Sequence, residues 1–520
     1  MEMNYATSDL PERFNFAAHV LQLNAGRPDK PAYIDDNGQL TYAELAGRVR
    51  CCAAGLLALG LQPEQRVLLV MHDTVDFPVA FLGALYAGLV PVPVNTLLPP
   101  EDHAYMLVHS GARAILASAA LLPGVQQAIA LAGSALPLVV SGDCAALPEG
   151  AHSFTGLLDA PELAVHADTA GDQFAFWLYS SGSTGRPKGT VHSHANLYWT
   201  AELYAKQVLG LRDSDTVFSA AKLYFAYGLG NALTFPLCAG ATAILMAERP
   251  TPAAVFERLR RHRPTVFCGV PTLYVAMLAA DAPPARADTA LRICTSAGEA
   301  LPREIGEKFH AHYGCDILDG LGSTEMLHIF ISNRSGDIRY GATGKPVPGY
   351  EVELRDEGGQ PVPAGEIGDL YIRGPSAALL YWNNRTKSRA TFLGDWIKSG
   401  DKYVADADGY YTYAGRSDDM LKVSGQYVSP IEVEAVLMGH AAVLECAVVG
   451  VPNQLGLTHT QAYVVAQAGH DGGPALAQEL QTWVKARMAP HKYPREVIFI
   501  AELPKTATGK IQRFKLRAVQ

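Results

Sequence analysis

No apolar run in this 520-residue chain approaches the ~20 residues that a membrane span requires, although 49% of its residues are hydrophobic. A spanning helix is therefore excluded as an expectation, and the chain reads as a soluble globular protein without a membrane partner. Cysteine is sparse and unpatterned. The eight, Cys51, Cys52, Cys144, Cys238, Cys268, Cys294, Cys315 and Cys446, contain no C-x-x-C. That spacing speaks against a zinc ribbon or a disulfide framework, and apolar neighbours mark most of them as reduced core thiols. Charge is thin as well, at 18% charged residues and a net −9 with no Lys/Arg stripe. Nucleic acid is thereby excluded as a partner, because a phosphate backbone rewards clustered cations. Residues 1–16 lack a basic end followed by an apolar core, so no secretory signal is expected and a cytoplasmic location follows by default. His192 and His194 alternate on what reads as a strand, but no third ligand lies nearby, so a structural role is expected for both.

A chain of this length exceeds what one core serves, since cores stop growing near ~250–300 residues; two or more domains are expected. From Leu40 the apolar period alternates, predicting a helix over 42–59, a strand over 66–71, a helix over 77–88 and an extended stretch over 90–94. The same rhythm predicts strands over 216–219, 242–246, 265–270 and 291–296, with helices over 252–261 and 302–312 between them. Such alternation implies an α/β fold of mainly parallel sheets covered by helices. The Ala- and Pro-rich stretch 118–160 reads as surface structure. Short alternating runs over 350–354, 368–373 and 410–413 predict a small β subdomain, antiparallel or barrel-like. The C-terminal part predicts a compact α+β domain, with helices over 430–438 and 474–488 and strands over 443–449, 461–465 and 496–500. The polar stretch Gly415-Arg416-Ser417-Asp418-Asp419 before it reads as a hinge.

The stretch Tyr179-Ser180-Ser181-Gly182-Ser183-Thr184-Gly185-Arg186-Pro187-Lys188-Gly189 organises the chain. It follows the apolar run 174–178, which reads as a buried strand, so its glycines and hydroxyls are expected on a loop at that strand's C-terminal end, where open α/β sheets put ligands. Three glycines let several N–H groups face inward, four hydroxyls add donors, and Arg186 and Lys188 supply charge, a combination suited to a polyphosphate. A flexible linker is the plain alternative, yet linkers rarely abut a buried strand with two cations at their end. The phosphate loop of kinases and GTPases needs G-x-x-x-x-G-K-[ST], whereas Lys188 here stands between Pro187 and Gly189. Four more motifs follow downstream: Ser296-Ala297-Gly298-Glu299-Ala300, Asp319-Gly320-Leu321-Gly322-Ser323-Thr324-Glu325, Trp396-Ile397-Lys398-Ser399-Gly400-Asp401, and the loop 504–513 with Lys510. Alone, each reads equally well as a turn or a solvated side chain. Their order and spacing give them weight together.

In that order and spacing they resemble the signatures of the adenylate-forming superfamily, which comprises acyl-CoA synthetases, luciferase-like enzymes and the adenylation domains of peptide synthetases. The resemblance covers nearly the whole chain and is strongest to the bacterial aryl-CoA ligases, the benzoate-activating ones in particular. It implies a large N-terminal domain over 1–416, with a small β subdomain, that binds ATP and acid, and a small mobile α+β domain over 417–520. It implies that Ser181, Gly182, Ser183, Thr184, Gly185 and Lys188 hold the phosphates, with Thr184 among the catalytic groups. Gly298, Glu299 and Ala300 would lie against adenine, and Asp319, Gly320, Leu321, Gly322, Ser323 and Thr324 would complete the nucleotide site. Leu321 stands where the family usually has an aromatic residue stacked on the base. Glu325 would bind the Mg2+ carried by ATP, as a hard cation bridging phosphates wants a carboxylate oxygen close by. Asp401 would accept the ribose hydroxyls and Arg416 donate to the same sugar. Lys510 would be the adenylation lysine, Asp418 the hinge, and Lys422, Ser424 and Gly425 the channel for coenzyme A.

The resemblance also builds the acyl pocket, from Phe225, Ala226, Tyr227 and Gly228 and from Leu327, His328 and Ile329. Large groups meet small ones there without a cation for a second carboxylate, which suggests a short flat slot for a small aromatic carboxylic acid. Benzoate is the first choice, ahead of substituted benzoates and small heteroaryl acids. His328 fits two places equally, the far edge of the ring or the packed wall. The expected enzyme is an acid–thiol ligase that makes an acyl adenylate and then a thioester, with a homodimer left open. Three rivals remain at this point: an adenylation enzyme serving a free-standing carrier protein, a luciferase-like oxygenase, and an inactive relative. The last would be expected to have lost Lys510 or Glu325, and both are present.

Overall fold

A computed structural model describes residues 10–180, 186–416, 420–423, 426–452, 458–489, 492–505 and 511–517. The chain divides into two compact units, one of 1–351 with 372–397 and one of 352–371 with 398–520. Packing thus assigns 352–371 and 398–416 to the second unit, a different line from the functional division expected at 416/417. Among the described residues no helix is long and apolar enough to cross a membrane.

Among the described residues the first unit holds three sheets. In the five-stranded one, Val90–Pro93, Arg66–Val70, Ala114–Ser118, Leu138–Ser141 and His152–Ser153 lie side by side and parallel. The first four are covered on both faces and read as nearly continuous apolar runs rather than alternating ones, while His152–Ser153 at the edge does not. The stretch 118–160, expected at the surface, supplies the helix Leu122–Ala132 and the buried strand Leu138–Ser141. Its weak pattern reflects a strand of four residues, too short to stand out from its Ala- and Pro-rich flanks.

The nine-stranded sheet runs Lys345–Pro346, Ile329–Ser332, Ile317–Gly322, Ile293–Ser296, Val266–Gly269, Thr216–Ser219, Thr242–Ile244, Pro31–Asp35, Gly38–Thr41. Its centre is parallel and covered by helices such as Pro252–His262 and Arg303–Tyr313, with Phe218, Phe267, Tyr274 and Phe309 among the buried side chains between them. Each such side chain contributes roughly 1.5–3 kcal/mol on burial. Local signals agree with the helices: Thr41 and Glu44 form a reciprocal capping box at Tyr42–Ala58, and Thr251 caps Pro252–His262.

The third sheet corrects an expectation. Phe174–Ser180 extends two residues further than the apolar run and pairs antiparallel with Lys188–Ser193, which pairs antiparallel with Leu380–Tyr381. Tyr179 and Ser180 are therefore strand residues, and the stretch between Ser180 and Lys188 joins two strands of a hairpin. Trp177 is buried in this sheet against Trp382, with ring centroids 4.7 Å apart.

In the second unit Trp396–Ala405 and Tyr411–Arg416 pair antiparallel, Asp401 opposite Arg416. The C-terminal part has Val443–Pro452, Thr458–Ala466 and Glu496–Phe499 in one sheet with the helices Pro430–Met438 and Pro474–Lys485, the expected α+β pattern. Val433, Leu437, Val448, Val464 and Leu480 form its centre.

Asp215 ties the N-terminal ends of three neighbouring strands. Its Oδ1 accepts from Thr265 Oγ1 (2.7 Å) and Arg292 Nε (2.8 Å), and its Oδ2 from Arg292 Nη2 (2.6 Å) and the Arg212 N–H (2.9 Å). Burial pushes this carboxyl up, but the Arg292 fork, the Thr265 hydroxyl and the backbone N–H outweigh it and leave it below the usual range. A depressed carboxyl stabilises above the unfolded value near ~3.9 and loses that contribution as pH falls through the lower folded value. Asp215→Asn is expected to cost about 2–4 kcal/mol at pH 7 in urea unfolding, and the difference from the parent should close below about pH 4. An undiminished difference at pH 3 would mean that charge is not its source.

Candidate active site

Strand Ile317–Gly322 changes partner halfway. Its first half is parallel to Ile293–Ser296, with Ser296 beside Asp319; its second half is antiparallel to Ile329–Ser332. Gly320 and Gly322 are thus strand residues and not the glycine turn that the motif suggested. A Cβ on Gly322 would stand 2.8 Å from the His328 backbone, and one on Gly320 2.9 Å from the Ile329 side chain. Glycine is what lets the two strands approach. Leu321, Ser323 and Thr324 are half-buried along the same stretch.

Beyond the strand, residues 324–327 form a tight turn closed by the Leu327 N–H on the Thr324 carbonyl at 3.1 Å, with Leu327 at φ 65°. That conformation costs a non-glycine residue of order 1–3 kcal/mol and persists only where the surroundings enforce it. Glu325 rides on this turn. Its Oε1 accepts from the Tyr381 hydroxyl at 2.6 Å and lies 4.0 Å from Lys188 Nζ. Lys188 Nζ is also 3.4 Å from the Tyr381 hydroxyl and 4.4 Å from the centre of its ring. The structure therefore brings Lys188 and Glu325 together as two largely buried, opposite charges bridged by a tyrosine. Tyr381 was absent from the sequence reading. No local pattern signals it, since the pairing that brings it in is to the distant strand Lys188–Ser193.

The donor set suits a divalent cation that arrives with phosphates. One carboxylate and nearby hydroxyls can supply part of an oxygen shell, and among the described residues no cluster of three His, Cys, Asp or Glu forms a cage of its own. His192 is buried; its Nε2 lies 2.8 Å from the Thr324 carbonyl and its Nδ1 2.9 Å from Asn196 Nδ2. Burial pushes its pKa down to about 3, against the bond to Thr324. His194 Nδ1 accepts from the Phe16 N–H at 3.3 Å. Both histidines hold protein groups, in line with their structural reading.

Asp319 is buried, and among the described residues its Oδ1 has no hydrogen-bond partner. Burial raises its carboxyl to about 8, with Ser296 and the N–H groups of Leu301 and Gly320 opposing. Next to it, Gly298 has φ 97° and stands with Ala300 at the surface, Glu299 being half-buried. Phe225, Ala226, Tyr227 and Gly228 begin the short helix Ala226–Leu229. A Cβ on Gly228 would lie 2.1 Å from the Lys222 carbonyl, so backbone packing sets the size of this position. His328 packs in a wall of rings, with Phe235, Tyr204 and Tyr227 at 4.4, 5.3 and 5.6 Å between centroids, and its Nε2 is 3.3 Å from the Tyr227 carbonyl. Leu327 and Ile329 are buried on either side of it.

Within the second unit Arg416 Nη1 donates to Asp401 Oδ1 at 3.1 Å. Arg513 grips the largely buried Glu434 through Nη2 at 2.8 and 3.0 Å, and Lys505 bridges to Ile511 across the loop ahead of it. Ser181, Gly182, Ser183, Thr184, Gly185, Asp418, Ser424, Gly425 and Lys510 lie outside the described residues, as does the side chain of Lys422.

The profile of the AMP-binding enzyme family matches residues 21–382, and that of the AMP-binding enzyme C-terminal domain residues 432–510. The chain is 56% identical to a benzoate–CoA ligase of Thauera aromatica over 98% of this chain and 97% of that one. It is 44% identical to a 4-hydroxybenzoate–CoA/benzoate–CoA ligase of Rhodopseudomonas palustris, over 97% and 94%. Among solved structures, a benzoate CoA ligase from Burkholderia xenovorans gives a TM-score of 0.90 at 63% identity, covering 97% of this chain and 100% of that one. The anthranilate CoA ligase AuaEII, in complex with anthranoyl-AMP, gives 0.92 at 40% identity over 98% of each.

A carboxyl raised to about 8 stays protonated in the folded chain while it ionises near ~3.9 in the unfolded one, so stability falls as pH rises between these values. Relative to Asp319→Asn, which cannot ionise, the parent protein should lose a few kcal/mol, about 2–5, between pH 4 and pH 8. Thermal midpoints of both proteins across that range, without nucleotide, check this; parallel curves would mean that Asp319 is charged in the folded state.

Proposed function

The chain belongs to the family of AMP-binding enzymes, and we propose that within it the protein is an ATP-dependent aryl-CoA ligase whose acid is benzoate. One observation carries this reading: identity of 56% over nearly the full length of both chains to a relative that bears that activity in its name. The ring-lined wall around His328, with no cation among Phe225–Gly228 and Leu327–Ile329, supports a small uncharged aryl group.

ATP and coenzyme A are co-substrates of two half-reactions. In the first, the acid's carboxylate attacks the α-phosphate, forming an acyl adenylate and releasing pyrophosphate. In the second, the thiolate of coenzyme A attacks the acyl carbon and AMP leaves. Lys188 is suited to phosphate charge, and Glu325, fixed by the Tyr381 hydroxyl, to the nucleotide's Mg2+. When bound, that cation neutralises phosphate charge. Residues 181–185 with Thr324 would hold the phosphates, Gly298–Ala300 and the strand residues from Asp319 to Gly322 would line the base, and Asp401 with Arg416 would hold the ribose. Lys510 would bridge carboxylate and α-phosphate in the first step, and the Lys422–Gly425 segment would admit the pantetheine arm in the second. Turning 417–520 about Asp418 would exchange them, which gives a reason for both to lie in one C-terminal unit. A cytoplasmic location accords with dependence on ATP and coenzyme A.

Two outcomes test the reading. Benzoate should exceed acetate and octanoate in kcat/KM by ATP- and CoA-dependent AMP release, while near analogues are partly accepted, as one methylene in an apolar pocket is worth only ~1–3 kcal/mol. Octanoate outperforming benzoate would refute the pocket. For the half-reactions, a unit charge pair at ~3–4 Å and an effective dielectric of ~20 interacts by about 4–6 kcal/mol before desolvation. Even half of that is roughly 30-fold in rate. Lys510→Ala should thus lose pyrophosphate release by roughly 30-fold or more, yet still convert supplied benzoyl adenylate and CoA to thioester. Gly425→Leu should do the reverse. Equal losses in both steps for both variants would remove the rotating unit.

A further inference from the structure

Glu325 is met twice by one strand. Lys188 and His192 lie four residues apart on Lys188–Ser193, on the same face by the two-residue period of a strand. Lys188 approaches the Glu325 side chain, and His192 the peptide that joins Glu325 to Thr324. Every hydrogen in the second contact can be assigned. The Ala377 carbonyl accepts only, so the group 3.1 Å from it is the Asn196 amide nitrogen, while Ser193 Oγ donates to Asn196 Oδ1 at 2.9 Å. That same nitrogen faces His192 Nδ1 at 2.9 Å, which must therefore accept. The ring proton sits on Nε2 and is donated to the Thr324 carbonyl at 2.8 Å. The ring itself stacks on Phe176 at 5.1 Å and 16°.

The turn has three carbonyls held from outside its own backbone. His192 takes that of Thr324, the Ala378 N–H that of Glu325 at 2.7 Å, and Ser376 Oγ that of Met326 at 2.8 Å. Two of these clamps come from 376–378 and share that segment's position. The third comes from the strand of Lys188 and acts on the peptide whose plane sets the direction of the Glu325 side chain. Leu327 at φ 65° shows that the turn does not keep its shape on local preference.

We propose that His192 is a positioning residue for adenylate formation: as a tautomer fixed by Asn196, it holds the Thr324–Glu325 peptide so that the Glu325 carboxylate stays aimed at the nucleotide's cation. This rests on the reading of Glu325 given above. His192 touches neither substrate nor cation in this account. Its effect is on affinity for the cation-bound nucleotide and on the first half-reaction, with none on the second.

The test uses the full chain with His192→Phe, which keeps a flat ring on Phe176 and removes the donor, and His192→Gln, whose amide can restore it. A buried carbonyl left without its donor predicts a loss of about 10- to 100-fold in kcat/KM for ATP-dependent pyrophosphate release in His192→Phe. Thioester formation from supplied benzoyl adenylate and CoA should stay within about twofold, a split that general loss of structure does not produce. Calorimetry should show weakened binding of Mg-ATP with unchanged binding of metal-free ATP, and His192→Gln should recover much of both losses. If His192→Phe does not fold, His192→Gln against Asn196→Ala, which frees the tautomer, carries the same comparison. Equal losses in both half-reactions, or an unchanged preference for Mg-ATP, would overturn the proposal. Glu325→Gln is the control: if it too leaves the preference for Mg-ATP unchanged, the reading of Glu325 has failed; if it alone abolishes it, only the role of His192 has.

Discussion

The change of partner within Ile317–Gly322 is the constraint on which the rest of the site depends. A strand that is parallel on one half and antiparallel on the other must shed side chains where the new neighbour closes in, which places glycine at 320 and 322. It also buries the last residue of the parallel half, so Asp319 sits where its charge is costly. The chain then reverses within 324–327, and the reversal presents Glu325 toward the hairpin that carries Lys188. The buried Asp319 and the position of Glu325 beside Lys188 thus both follow from one strand finding two neighbours. Asp215 secures the opposite ends of the parallel strands, leaving the site end to be held by longer-range contacts.

The regular frame was legible to the extent that the apolar period was long. Helices such as Pro252–His262 and Pro430–Met438 and the strand Thr216–Ser219 announce themselves through caps and runs. Leu138–Ser141 did not, because four residues between Ala- and Pro-rich flanks leave no period to read. Nor does the apolar run 174–178 say whether its neighbour is parallel or antiparallel. That is a matter of register across the sheet.

The same limit governs the site. Glu325, Lys188, Asp401 and Arg416 stood out because chemistry and spacing coincide within short motifs. Tyr381 and Asn196 did not, and His192 read only as structural, as each takes its place from a pairing: Tyr381 with Thr190 across strands, His192 with a carbonyl 132 residues on. Two histidines separated by one residue look like candidate ligands in a sequence. In the fold each ring nitrogen of His192 already has a protein partner, and only coordinates reveal that. Gly228 makes the complementary point, since its small size answers to the Lys222 carbonyl next to it.

The hairpin has a consequence for how such a loop can vary between proteins. Ser180 faces Lys188 and Tyr179 faces Gly189 across the strands, and Leu380–Tyr381 fixes the far side of the second strand. The height of Lys188 above Glu325 is therefore set by interstrand register, while the residues between 180 and 188 span a gap whose ends are already fixed. Lengthening such a loop costs only about 0.6 kcal/mol per doubling and does not shift the strands it joins. Insertions there lengthen the connection without displacing the lysine, so loop length and lysine position can vary separately.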